Sequence, residues 1–67
     1  MIPEYAHVRI KATGITGVVV DIRKNKGVTV YTVESDEKGV PGGYGDPKYW
    51  KLFDCVESEI EEIKGEI

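Results

Sequence analysis

Apolar and polar residues take turns through the first part of the chain. Ala6, Val8 and Ile10 occupy every second position, with His7, Arg9 and Lys11 between them. A period of two is the period of a strand, so 6–12 is expected to form one that buries Ala6, Val8 and Ile10. Thr13-Gly14-Ile15-Thr16-Gly17 interrupts the pattern as a turn, its glycines free to take positive φ. Val18-Val19-Val20-Asp21-Ile22-Arg23 is rich in β-branched residues and predicts a second strand over 18–23, with Val18, Val20 and Ile22 on the buried face. Lys24-Asn25-Lys26-Gly27 reads as a tight hairpin in which Asn25 and Gly27 supply the left-handed backbone. Val28 to Glu34 then forms the third strand.

Beyond Glu34 the alternation stops. Ser35 to Gly39 is polar, and Val40-Pro41-Gly42-Gly43-Tyr44-Gly45-Asp46-Pro47 holds too many breakers for a helix or strand. A loop this long in so small a domain is usually functional or disordered. A fourth strand is expected over 48–53, with Trp50 and Leu52 on one face and Tyr49, Lys51 and Phe53 on the other. The C-terminal stretch admits two readings. Val56, Ile60, Ile63 and Ile67 recur at helical spacing behind Asp54 as a cap, which gives an α+β fold with a C-terminal helix. The same residues also fit one tight turn followed by a short last strand.

The order of these signals resembles a known architecture. Val8-x-Ile10, Thr13-Gly14-x-x-Gly17 and the run from Val18 to Ile22 look like the opening of small bacterial Src-homology-3-like barrels. Trp50, followed by Ser58-Glu59-Ile60-Glu61, is similar to their closing strand, one-turn 3₁₀ helix and final short strand. The opening also resembles that of the KOW-type, ribosome-associated barrels, although the lysines that crowd their glycine turn are missing here. The resemblance implies a mainly β fold over 1–67, a single small five-stranded barrel with one long glycine-rich loop and a short 3₁₀ turn before the last strand. It implies no binding site, because this fold hosts many functions.

Size and charge narrow the picture further. A chain of 67 residues is long enough for one domain and buries only about 60% of its unfolded surface, so its stability is marginal. Cys55 is the sole cysteine, which rules out an intramolecular disulfide and suits a reducing compartment. Met1-Ile2-Pro3-Glu4-Tyr5 has no signal-peptide character, and the apolar runs are too short to span a bilayer, so the expected location is the cytoplasm. The net charge of −3 divides unevenly between a basic first half and an acidic second half. Arg9, Lys11, Arg23, Lys24 and Lys26 form the candidate patch for nucleic acid, while the acidic balance weighs against non-specific phosphate binding.

Catalytic chemistry finds little to work with. His7, the sole histidine, lies on the polar face of the first strand, where it reads as an exposed strand residue; a general base would need a positioned partner and a pocket. The acidic neighbours Asp54 and Glu57 are expected to raise the thiol pKa of Cys55, which fits a small buried hydrophobe better than a nucleophile. Glu57, Glu59, Glu61 and Glu62 lack the glycine bend and spacing of a calcium loop. Gly42, Gly43 and Gly45 precede no helix and no Lys-Ser or Lys-Thr pair, so they make no phosphate cradle. No cofactor or metal is implied. The aromatics are the sharper signal: Tyr44, Tyr49 and Trp50 cluster in or beside the long loop, with Tyr5 and Tyr31 elsewhere. Such side chains pair a large apolar face with a polar tip and often anchor interfaces. Tyr44, between glycines, is expected to stand exposed and unpacked, and Trp50 to fill the barrel interior. The expectation is a non-enzymatic module that binds a protein or peptide partner through Tyr44, Tyr49 and Trp50. The alternative is an accessory RNA-binding protein that uses the basic patch.

Overall fold

The computed structural model describes residues 1–64, and within them the chain is mainly β. Strand β1 spans His7–Ile10, β2 Thr16–Asn25, β3 Val28–Lys38, β4 Trp50–Val56 and β5 Ile60–Glu62. They form one antiparallel sheet in the order β4-β3-β2-β1-β5. Glu57–Glu59 make a single 3₁₀ turn between the last two strands. The turn-and-strand reading of the C-terminus therefore holds in place of the helix, and Ile67, the last member of the helical spacing, lies outside the described residues. No helix among the described residues is long and apolar enough to cross a membrane.

The expected barrel is not closed. Among the described residues β4 and β5 are the two edges of the sheet, and no ladder joins them. The sheet curls instead, because Cys55 from β4 and Ile60 from β5 enter the same buried cluster as Ile2, Val8, Ile10, Val19, Tyr31 and Val33. Burying apolar surface from both edges in one core is worth about 25 cal/mol per Å², and this draws the edges together without hydrogen bonds between them.

The core differs from the sequence expectation in β2. Val19 is fully enclosed, while Val18 and Val20 are only half-buried. The cause is a bulge: Val19 pairs with Val33 and Asp21 with Thr32, so Val20 is left over. One extra residue flips every later side chain to the opposite face. Val19 and Ile22 thus both turn inward, against Val33 and Tyr31. Gly17 is a second correction, because it lies inside β2 without positive φ. It is small for another reason: a Cβ there would run into the Glu34 carbonyl oxygen and meet Val33 Cγ1 at 2.8 Å. The hairpin turn forms as expected but with different residues. Asn25 pairs with Val28, and Lys26 (φ 54°) and Gly27 (φ 82°) take the left-handed positions of a type I′ turn.

Candidate functional site

Alternation along β4 sets the outer surface. Cys55 and Phe53 face the core, so Trp50, Leu52 and Asp54 face outward. Trp50 is accordingly 46% exposed, not the filling of the interior, and Tyr31 on β3 takes that place with no exposure at all. The Tyr31 hydroxyl accepts a hydrogen bond from the Ile2 backbone N–H at 3.4 Å. The strand spans Trp50–Val56 in place of 48–53, and Lys51 shares the side of Phe53 and Cys55. The Lys38 ammonium sits 4.7 Å above the Trp50 ring, an exposed cation–π contact worth about 0.5–1 kcal/mol.

Tyr44 is held, contrary to the expectation of a loose side chain. Its N–H donates to the Leu52 carbonyl at 2.8 Å, and the Leu52 N–H donates back to the Tyr44 carbonyl at 2.9 Å. This isolated bridge folds the loop against the free edge of β4. Gly43 makes the approach possible, since a Cβ there would lie 2.6 Å from the Leu52 carbonyl oxygen and 2.9 Å from the Phe53 ring. The Tyr44 hydroxyl then donates to Asp54 Oδ1 at 2.9 Å. Asp54 also accepts from the Thr32 hydroxyl at 2.8 Å and pairs with the Arg23 guanidinium at 3.2 Å. Arg23 in turn reaches Thr32 at 2.7 Å and Asp21 at 3.2 Å. The Thr32, Tyr44 and Arg23 bonds hold the Asp54 carboxyl below its ordinary range. The bond to that carboxylate pushes the Tyr44 hydroxyl pKa up, so it stays protonated and donating.

Even so, Tyr44 remains 48% exposed, Tyr49 55% and Trp50 46%. Tyr44 and Trp50 belong to the outward row of β4, because Tyr44 pairs opposite Leu52. Tyr49 stands one residue before the strand and closes a turn, its N–H donating to the Asp46 carbonyl at 2.9 Å. Sequence reasoning found these residues through composition. It placed Leu52 on the face of Trp50 but took that face as the inward one, and it missed Asp54 as the anchor of Tyr44, since cross-strand pairing leaves no local signature.

Beside this row runs a cleft of about 680 Å³. Gly43, Tyr44 and the Leu52–Cys55 stretch form one wall, and Ile10–Ala12 with Ser58 and Glu59 form the other. It separates β4 from the end of β1 and the 3₁₀ turn. Cys55 opens onto it but is buried, and burial raises its thiol pKa, with Glu59 and Asp54 adding to the effect. Glu59, not Glu57, is the acid that acts with Asp54. The Glu59 carboxylate accepts the Val56 N–H at 2.9 Å, and Glu57 pairs with the N-terminal ammonium at 3.5 Å.

The five basic residues do not come together. Arg9 lies on β1 and pairs with Glu61 at 3.1 Å, and Lys11 follows that strand onto the cleft wall. Arg23, Lys24 and Lys26 lie at the far end of β2, beside the hairpin turn. Arg9 pairs opposite Thr16, eight residues from Lys24 along β2, or roughly 25 Å at about 3.3 Å per residue. Arg23 is further engaged by two carboxylates. His7 has a partner that the sequence did not reveal: its Nε2 lies 2.6 Å from Asp36 Oδ2, which also accepts from the Thr16 hydroxyl at 2.7 Å. No family model, curated protein or solved structure matches this chain.

Proposed function

We propose that the protein is a non-catalytic binding module for a protein partner, with its contact surface on the outward row of β4 and the loop latched to it. The observation that carries this reading is the concentration of large exposed aromatics, Tyr44, Tyr49 and Trp50, along one edge of the sheet. An aromatic side chain buries about 150–250 Å² when fully enclosed, and roughly half of that is open to a partner at each of these three. Tyr44 and the loop that carries it are already fixed by the Leu52 bridge and Asp54, so binding need not meet the full ordering cost of about 1–2 kcal/mol per loop residue. The strand order and the 3₁₀ turn before β5 support reading the fold as a Src-homology-3-like barrel left open between β4 and β5.

Nucleic acid is the competing partner class. A phosphate-binding surface needs adjacent cations, whereas Arg9 and Lys11 stand far from Lys24 and Lys26, and Arg9 and Arg23 are committed to carboxylates. Affinity capture from the native host followed by binding measurements on alanine variants separates the two. Trp50→Ala and Tyr49→Ala should each weaken the captured protein's binding about tenfold or more, with a shallow salt dependence. Unchanged affinity in both variants, together with a steep salt dependence abolished by Lys24→Ala and Lys26→Ala, would refute the protein-partner reading.

A further inference from the structure

Between Gly39 and Tyr49 the chain leaves the sheet, and its base is closed. Lys38 pairs with Trp50, and the Gly39 N–H donates to the Tyr49 carbonyl at 3.0 Å. Beyond that base the attachment is sparse. Among the described residues, the main chain from Val40 to Gly45 is bonded to the sheet at Tyr44, through Leu52, and at the Val40 carbonyl, which accepts the Lys51 ammonium at 3.4 Å. Every residue from Pro41 to Pro47 is exposed, so no side chain there is buried against the fold.

What this segment covers is the Phe53 ring. The Gly42 and Gly43 main chain lies across it: a Cβ at Gly42 would meet Cε2 at 3.4 Å, and one at Gly43 would meet Cε2 and Cζ at 2.9 Å. Gly43 and Tyr44 also belong to the cleft wall, beside Phe53 itself. Gly39 (φ 71°) and Gly45 (φ 118°) flank the segment, and at both the backbone can swing without a Cβ collision.

We propose that residues 40–45 are a hinged strap that lifts from β4 as a unit while the sheet stays folded, with the Tyr44–Asp54 bond as its catch and the Phe53 side of the cleft beneath it. Lifting breaks the two Leu52 bonds and the bond to Asp54, and water replaces the lost partners at this exposed edge. The Asp54 carboxylate keeps Thr32 and Arg23, so it is not left unpaired. A segment with few bonds and no buried side chain opens at a free energy well below that of global unfolding. The latched form prevails at rest. The lifted form widens the cleft and bares one face of the Phe53 ring, so the strap sets access to the cleft, and no partner is needed for the motion.

Native-state amide hydrogen exchange of the full chain tests this. Corrected for intrinsic rates, the Tyr44 and Leu52 amides should exchange at least about tenfold faster than those of Tyr31 and Val33 on β3, which is paired on both sides. Low concentrations of denaturant should speed the Tyr31 and Val33 amides and leave Tyr44 and Leu52 nearly unchanged, because lifting exposes little surface. Val19→Ala should have the same selective effect, since it weakens the core and not the strap. Tyr44→Phe, which removes the catch, should speed the Leu52 amide about three- to tenfold. If all four amides share one denaturant dependence, the loop opens only when the whole molecule unfolds and the inference is overturned. Leu52 exchange unaltered by Tyr44→Phe would overturn it as well.

Discussion

Val19 and Val20 are chemically identical neighbours, yet the bulge between them and β3 gives them different work. Val19→Ala removes two methyl groups from a fully enclosed site and should cost about 2 kcal/mol, or roughly 8–16 °C in a domain of this size. Val20→Ala, at the bulged and half-buried position, should cost well under half of that; thermal melts of the two variants side by side check the assignment. Gly17→Ala should be worse than its size implies. The new methyl meets the Glu34 backbone, which cannot rotate away, and overpacking of this kind costs about 1–3 kcal/mol. Titration adds a signature of its own. Bonds from Thr32, Tyr44 and Arg23 hold Asp54 below the ordinary 3.8. At Asp36 burial works upward but is outweighed by the bonds from His7 and Thr16, so that carboxyl also ends low. A lowered folded pKa stabilises the fold above the unfolded value and is lost as pH falls through the folded one. The melting temperature should therefore drop as pH falls below about 4, and Asp54→Asn and Asp36→Asn should each flatten that drop. The buried face of β1 was legible from alternation alone. That of β2 was not, because a bulge changes the phase of the pattern without changing the residues.

Among the elements, turns and lengths carry the differences. The hairpin after β2 was legible as a turn, but its left-handed positions fall on Lys26 and Gly27. Lysine in that conformation is strained by up to about 1–2 kcal/mol. Lys26→Asn keeps the turn with a residue that accepts it more readily, and denaturant unfolding should show the variant to be more stable than the parent. Strand β3 runs to Lys38, past Glu34 where the sequence pattern ends. Its far end is held by pairing with Trp50 and by Ser35, whose hydroxyl donates to the Glu37 carbonyl at 2.7 Å and accepts the Lys51 N–H at 2.9 Å. The loop that follows is correspondingly shorter, and Tyr44 returns it to the sheet. Composition marked the aromatics of this region without marking the latch, because Gly43, Leu52 and Asp54 act only once the loop has folded back.

For the whole molecule, one curled sheet leaves β4 and β5 unpaired, a cleft separates β4 from the end of β1 and the 3₁₀ turn, and the exposed aromatics lie along the β4 side. The acids of the second half are spread among local partners: Glu57 at the N-terminus, Glu59 at Val56, Glu61 at Arg9 and Glu62 at Lys64. The five candidate basic residues are divided between β1, which carries Arg9 and leads to Lys11, and the far end of β2. The barrel resemblance anticipated the strand count and the 3₁₀ turn, but the gap between β4 and β5 depends on pairings that no sequence motif records. The proposed protein partner docks on the outward row of β4. Mapping amide shifts of the labelled chain during titration with its captured partner tests it most directly. Shifts should concentrate at Tyr44, Tyr49, Trp50 and Leu52. Shifts confined to the turn from Lys24 to Gly27, with the β4 row unmoved, would contradict it.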